Sequence, residues 1–197
     1  MTRPAMFKAT QKIPGLILLL VCAVQLAVAD SESKNSKRPA INEKAPDFEL
    51  SSVDDKKIRL SSLTHDGPVV VVVLRGYPGY QCPLCTKQVA DLLRSADKFS
   101  DAGTKVVLIY PGPADELKKH SQEFIKGKKL PESFLLLLDP DYSFCESYDL
   151  RWNAPGETAY PATFVVGTDD KVRFLKVSKS HGDRASASEI LKAIAKK

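Results

Sequence analysis

The chain contains few of the residues that mark specialised folds. Its 197 residues include four cysteines, three histidines, two methionines and one tryptophan. This is too little cysteine for a disulfide-rich mini-protein, which relies on several bridges in place of a core. No internal repeat is present, which argues against a solenoid. A hydrophobic content of 43% is too high for intrinsic disorder and is sufficient for a globular domain with a real core.

The charge argues against one class of partner. The formal net charge is +5, from 29 basic and 24 acidic residues. Three of the basic residues lie in the first 29 positions, so the remainder of the chain is close to neutral. A nucleic-acid-binding protein carries a concentrated basic surface. We therefore expect no nucleic-acid partner.

The N-terminus has the pattern of a secretory signal peptide, which we assign to residues 1–29. Basic residues precede an unbroken apolar run over 15–24, and Ala27-Val28-Ala29 matches an A-x-A cleavage site. The run is shorter than the ~20 residues that a membrane-spanning helix needs. We predict an exported protein, periplasmic or secreted, with no stable membrane insertion after cleavage. An uncleaved anchor and a lipoprotein processed at Cys22 stay open as alternatives.

The rest of the chain divides into a flexible polar linker, residues 30–42, and one domain, residues 43–197. Short apolar runs rich in β-branched residues predict strands at 57–60, 69–74, 105–110, 134–138, 163–166 and 172–177. Helical spacing of apolar residues predicts helices over 83–102, 114–125, 142–148 and 186–195. The early strands alternate with helices, which favours parallel pairing, and a turn between the last two strands predicts an antiparallel hairpin. The pattern indicates an α/β fold with a mixed sheet and helices on both faces.

A C-x-x-C motif lies between a predicted buried strand and a predicted helix. It consists of Cys82, Pro83, Leu84 and Cys85. Pro83 suits the first helical turn, where its missing N–H costs nothing. Unpaired N–H groups and the helix dipole favour a thiolate there, so one or both thiol pKa values should fall below about 8.5. Such a pair can cycle between dithiol and disulfide.

Two structural interpretations of the motif compete with a redox function. A zinc site needs four ligands, but the chain beyond the signal peptide has no second cysteine pair, and its histidines (His65, His120, His181) are isolated. We therefore expect no metal. A static structural disulfide stays open, although the position between a strand and a helix favours redox chemistry.

At this point the sequence resembles the peroxiredoxin-like AhpC/TSA (redoxin) family of the thioredoxin superfamily. The resemblance covers about residues 43–178 and implies a thioredoxin-like fold, with a mixed central β-sheet flanked by helices on both faces. It is carried by three blocks, at residues 45–50 with 57–63, at 77–85, and at 138–148 with 162–166.

The resemblance also implies roles for the residues of the motif. In the family loop P-x-x-x-[TS]-x-x-C, Pro78 and Cys85 match the proline and the peroxidatic cysteine, and Cys82 occupies the Thr/Ser position. Cys85 would then attack a hydroperoxide, and Cys82 would resolve the product as a Cys82–Cys85 disulfide. An external, thioredoxin-like dithiol reductant would regenerate the pair, and no cofactor is implied.

One departure from the family favours a different reaction. The family usually has an arginine just before its A-T-F block, but Pro161 occupies that position here. Pro161 resembles the cis-proline that thioredoxin-like oxidoreductases place against a C-x-x-C. By that analogy Cys82 attacks, Cys85 resolves, and the substrate is a protein disulfide. Arg75 is a candidate to replace the missing arginine, against an ordinary surface ion pair, and Arg151 is a weaker one.

Two further hypotheses concern single residues outside the motif, and two concern other functions of the protein. Cys145 is interpreted as a buried, inert cysteine, with an additional resolving thiol as the alternative. Trp152 is expected in the core, with a cover over the site as the alternative. A copper chaperone would bind the metal through the cysteine pair and His120 or His181. A non-catalytic scaffold is disfavoured by the intact C-x-x-C.

Overall fold

A computed structural model of the chain describes residues 38–79 and 81–196. The predicted signal peptide and residues 30–37 of the predicted linker lie outside the described residues, so both remain predictions. The last part of that linker contacts the domain. Arg38 pairs with Asp149 at 3.2 Å, Pro39 is buried, and the Asn42 N–H donates to the carbonyl of Val172 at 2.8 Å.

The described residues form a single sheet and flanking helices. The strands are β1 (Glu49–Ser52), β2 (Lys57–Arg59), β3 (Val69–Val73), β4 (Lys105–Gly112), β5 (Phe134–Pro140), β6 (Ala162–Val166) and β7 (Val172–Val177). The helices are α1 (Leu60–Asp66), α2 (Pro83–Arg94), α3 (Ala96–Asp101), α4 (Leu117–Ile125), α5 (Ser143–Ser147) and α6 (Ala187–Ala195). None of these helices is long and apolar enough to cross a membrane.

The sheet is mixed, as the strand pattern predicts. Its order is β2-β1-β5-β4-β3-β6-β7. The central strands β3, β4 and β5 are parallel, whereas β6 pairs antiparallel with both β3 and β7. All five valines of β3 are buried. A strand of this kind has apolar neighbours on both faces, because helices cover both sides of a parallel sheet.

The two faces of the sheet support separate cores. Val70 and Val72 point into a cluster with residues of α2, α3, α4 and α6. Val69, Val71 and Val73 point into a second cluster with residues of α1 and α5. The alternation along β3 is the period of two expected of a strand, and it confirms helices on both faces.

Several element boundaries differ from the predicted ones. The helix predicted over 83–102 is broken at Ser95, whose N–H donates to the carbonyl of Leu92 in a tighter turn. The helix predicted from 114 begins at Leu117, because Pro111 and Gly112 still pair with β5. β1 and α1 were not predicted. β1 obtains its backbone partners from β2 and β5, and a four-residue strand has little pattern of its own.

Candidate active site

The C-x-x-C motif lies where the sequence predicts it, at the start of α2. Cys82 is the residue preceding the helix, and Pro83 occupies its first turn. Both cysteines are free thiols and both are buried, with exposed fractions of 3% for Cys82 and 1% for Cys85. The backbone N–H of Arg75, which follows β3, donates to Sγ of Cys85 at 3.3 Å. The end of β3 and the start of α2 thus hold Cys85 from two sides.

The two thiols have opposite pKa shifts. Hydrogen bonding to the Cys85 side chain, with the N–H groups of Leu84 and Cys85 and the charge of Arg184, lowers the pKa of Cys82 to about 5 against the opposing effect of burial. The same thiol–thiolate hydrogen bond, together with burial, raises the pKa of Cys85 well above its ordinary value. At neutral pH Cys82 is therefore the thiolate and Cys85 the thiol, the distribution expected if Cys82 attacks first.

The sequence leaves open whether Arg75 acts at the reactive cysteines or forms an ordinary ion pair, and in the structure it does both. Its guanidinium binds both carboxylate oxygens of Glu157, Nε to Oε2 and Nη2 to Oε1 at 3.1 Å. This ion pair is the main reason that the pKa of Arg75 is raised, and hydrogen bonding to Cys82 adds to it. Arg75 is thus an ion-paired arginine that also reaches the reactive sulfur.

Two residues of the site were not predicted. Arg184, between β7 and α6, places Nη2 3.6 Å from Sγ of Cys82. Gln88 on α2 is buried and accepts from Nη1 of Arg184 at 3.3 Å. Nothing in the local sequence marks Arg184. Gln88 could have been identified from the sequence, because it is a polar residue on the apolar stripe of α2, three positions after Cys85.

The structure corrects one expectation about the prolines. Among the described peptide bonds, Tyr77–Pro78 is cis, and the bond before Pro161 is not. The segment around Pro161 is bonded on both sides, since Tyr160 donates to Leu150 at 2.8 Å and the Pro161 carbonyl accepts from Ser178 at 2.9 Å.

Arg151 and Trp152 form the loop beside Arg75. Arg151 donates to the carbonyls of Trp152 and Thr158, each at 2.6 Å, so it supports the loop that presents Glu157. Trp152 is half-buried and outside both core clusters, contrary to the expected core position. It stacks on Tyr160 with ring centroids 4.8 Å apart. Its ring centroid also lies 5.1 Å from that of His181, which pairs with Glu157, so Trp152 lies close to the Arg75–Glu157 ion pair.

The remaining candidates are separate from the two sulfurs. His181 pairs with Glu157 at 2.9 Å. His120 stacks on Tyr77, with centroids 4.0 Å apart, and pairs with Glu123. Cys145 is fully buried in the second core cluster. Within the described ranges, no three metal-ligating side chains form a cluster that could hold an ion.

Comparison with known proteins identifies relatives of two kinds. A sequence model of the AhpC/TSA family matches residues 41–175. The thiol-disulfide oxidoreductase ResA of Bacillus subtilis is 25% identical over 80% of this chain and 79% of its own length. Peroxiredoxin Bcp of Bacillus subtilis is 31% identical, over 56% of this chain and 64% of the relative.

A solved structure supports the same relationship. The crystal structure of peroxidoxin BcpB from Mycobacterium tuberculosis aligns with a TM-score of 0.63 and 25% sequence identity. The alignment covers 80% of this chain and 96% of that structure. The likeness confirms the thioredoxin-like fold that the sequence predicts.

Proposed function

The chain belongs to the AhpC/TSA family, and from this membership we propose that it reduces hydroperoxides through a dithiol/disulfide cycle of Cys82 and Cys85. Its relatives are peroxiredoxins and thiol-disulfide oxidoreductases, so the chain is a thiol oxidoreductase. The peroxide substrate, the cycle and the order of attack are our proposal.

The observation that carries the proposal is a buried pair of free cysteines in which the Cys82 sulfur lies 3.6 Å from the Arg184 guanidinium. Cys82 is only 3% exposed, so a small oxidant reaches its sulfur more readily than a protein disulfide does. Arg75 and Arg184 both approach that sulfur. Guanidinium groups stabilise a thiolate and can donate to peroxide oxygens as charge develops on them.

The cycle begins with the Cys82 thiolate attacking one peroxide oxygen. The S–O bond forms, the O–O bond breaks, and the leaving alkoxide or hydroxide takes a proton from water. Cys82 is now a sulfenic acid. The Cys85 sulfur attacks the Cys82 sulfur, the S–S bond forms, and the hydroxyl group leaves with the Cys85 proton as water. An external dithiol then supplies two electrons and two protons, which restores both thiols.

The test compares the reduced protein with Cys82→Ser and Cys85→Ser variants in stopped-flow oxidation by hydrogen peroxide. Trp152 provides the fluorescence signal, and Cys145→Ala is the control for the third described thiol. We expect rapid disulfide formation in the native protein, a sulfenic acid trapped on Cys82 in Cys85→Ser, and no rapid reaction in Cys82→Ser. A sulfenic acid on Cys85 in Cys82→Ser would reverse the roles, giving the order that the family loop implies.

A second function has its own support. ResA is similar over most of both chains, and a low pKa at the first cysteine of a C-x-x-C suits thiol–disulfide exchange. Reduction of insulin disulfides by the reduced protein tests this reaction. If insulin is reduced readily, and peroxide reacts no faster than with a free thiolate, thiol–disulfide exchange replaces peroxide reduction as the function.

We also propose that the protein acts outside the cytoplasm. The support is the signal-peptide pattern of residues 1–29. A processed chain would begin at Asp30.

A further inference from the structure

The two arginines beside Cys82 differ in how their charge is balanced. The carboxylate of Glu157 binds Arg75 through two hydrogen bonds and so neutralises it locally. Arg184 donates to the carbonyl of His181 at 3.0 Å and to the Gln88 side chain, both neutral acceptors. In the part of the chain that the structure describes, no carboxylate forms an ion pair with Arg184. The Cys82 sulfur, 3.6 Å from Nη2, is thus its anionic neighbour.

The orientation of the Arg184 side chain is fixed by Gln88. The Gln88 amide nitrogen donates to the carbonyl of Ala185 at 3.2 Å, and its oxygen faces Nη1 of Arg184. Gln88 is only 7% exposed, and α2 carries both it and the cysteine pair. A buried amide with both ends occupied has little freedom to turn. The guanidinium is therefore held in place before any substrate arrives.

The segment that carries Arg184 is anchored at both ends. At one end the Ser178 N–H donates to the carbonyl of Pro161 at 2.9 Å. At the other end the Ala187 N–H donates to Asp91 on α2 at 2.8 Å, and Ser186 forms a capping box at the start of α6. A charge held by a fixed backbone needs little reorganisation when the thiolate reacts.

We propose that Arg184 is the catalytic cation of this site and that Gln88 is its positioning residue. Arg184 takes the role that the family resemblance gives to the arginine replaced here by Pro161. It stabilises the Cys82 thiolate, and an N–H of the guanidinium that bonds neither Gln88 nor Cys82 provides a donor for a peroxide oxygen. The action on the peroxide rests on the proposed function, whereas the action on the thiolate holds for any chemistry of Cys82.

The first test measures the thiolate without peroxide. Iodoacetamide alkylation of Cys82 is followed against pH in the reduced protein, with tandem mass spectrometry to locate the label. The other groups facing this sulfur, Cys85 and the Arg75–Glu157 pair, stay unchanged. In Arg184→Met we expect the pKa of Cys82 to rise by about one unit, as the loss of a nearby opposite charge should cause. Lys179→Met removes an exposed charge from the same segment and should leave the profile unchanged.

Two further variants separate charge from position. Arg184→Lys keeps the charge without the planar fork, so it should restore most of the alkylation profile but not the full rate with hydrogen peroxide. Gln88→Leu removes the amide that orients Arg184 and should raise the pKa of Cys82 by less than Arg184→Met does. An unchanged alkylation profile in Arg184→Met would overturn the proposal, whatever the peroxide rate.

The peroxide rate separates this proposal from the proposed function. We expect Arg184→Met to lose on the order of tenfold or more in rate with hydrogen peroxide at neutral pH, because the variant lacks a donor to the peroxide oxygen as charge develops. The pKa rise adds little to this loss, since a rise of about one unit from about 5 leaves most of Cys82 ionised at pH 7. If the native protein itself reacts slowly with peroxide, the proposed function fails. A raised pKa of Cys82 in Arg184→Met would still support Arg184 as the cation of a thiolate used in disulfide exchange.

Discussion

The pKa values of Cys82 and Cys85 differ because the two sulfurs share one proton and one hydrogen bond. The bond favours the charged form of the acceptor, Cys82, and the neutral form of the donor, Cys85. Burial opposes ionisation of both sulfurs, and both receive backbone N–H groups and the charge of Arg184, so the hydrogen bond between the sulfurs is the main cause of their difference. The titration of either sulfur therefore depends on its partner.

This coupling gives a prediction for Cys85→Ala. In the native protein the alkylation rate of Cys82 should be constant around neutral pH and fall as the pH drops through about 5, where the thiolate becomes protonated. Removing the Cys85 donor should move this inflection upward, so that at pH 7 the rate falls, on the order of tenfold for each unit by which the pKa passes 7. Iodoacetamide labelling against pH, read by mass spectrometry, measures both profiles.

Cys85→Ser is the matched control, because a serine hydroxyl can still donate to the sulfur. Its inflection should lie between those of the native protein and Cys85→Ala. If Cys85→Ala keeps the native profile, the hydrogen bond from Cys85 does not lower the pKa of Cys82.

The sequence predicts a lowered pKa in the motif but not which cysteine carries the thiolate. The spacing of Cys82 and Cys85 brings the sulfurs together at the start of a helix, and a local pattern can indicate that much. The choice between them depends on the hydrogen bond between the sulfurs and on burial, and the Cys82 sulfur also contacts Arg184, which follows it by 102 positions. A contact made only by tertiary folding leaves no local pattern around either residue.

At the scale of elements, the segment between β3 and α2 is fitted tightly against β4. A Cβ atom added at Gly76 would lie 2.1 Å from the carbonyl oxygen of Pro111, and a backbone atom cannot turn aside as a side chain can. At Gly79, three residues later in the same segment, none of the described residues beyond its chain neighbours has an atom within 4 Å of the corresponding position. The close packing at Gly76 fixes the backbone that leads to Cys82.

Gly76→Ala should therefore displace this segment, whereas Gly79→Ala should not. We expect Gly76→Ala to cost about 1–3 kcal/mol in the free energy of unfolding, as overpacking does, and to slow oxidation of Cys82. The free energy is measured by urea denaturation and the rate by stopped-flow fluorescence. Equal stability and rate in the two variants would show that the segment tolerates a methyl group at Gly76.

A helix or strand can be predicted from the sequence when the residues that determine it lie next to each other in the chain. The valine run of β3 predicts a buried strand by composition alone. The break at Ser95 is invisible in the sequence, because the apolar stripe continues from Leu92 in α2 to Phe99 in α3 and both side chains are buried. The short strand β1 exists through pairing with β2 and β5, so its cause lies elsewhere in the chain.

At the scale of the whole molecule, the sheet separates the reactive sulfurs from the third described thiol. Cys82 and Cys85 belong to the cluster on the face covered by α2 and α6. Cys145 on α5 belongs to the opposite cluster. Burial and the nearby charge of Asp139 raise the pKa of Cys145 well above its ordinary value. A protonated thiol with no exposed surface is a poor nucleophile.

Cys145 should therefore react only when the domain unfolds. In the reduced native protein we expect Cys145 to be alkylated at least ~10³-fold more slowly than Cys82, because access requires an opening close to global unfolding. Mass spectrometry of iodoacetamide labelling across a urea series measures both sites in one sample, with Cys82 as the internal control. The labelling of Cys145 should rise with the unfolding transition. Labelling of Cys145 in the native protein at a rate near that of Cys82, or a Cys145–Cys82 disulfide after peroxide treatment, would mean that the sheet does not separate the two thiols.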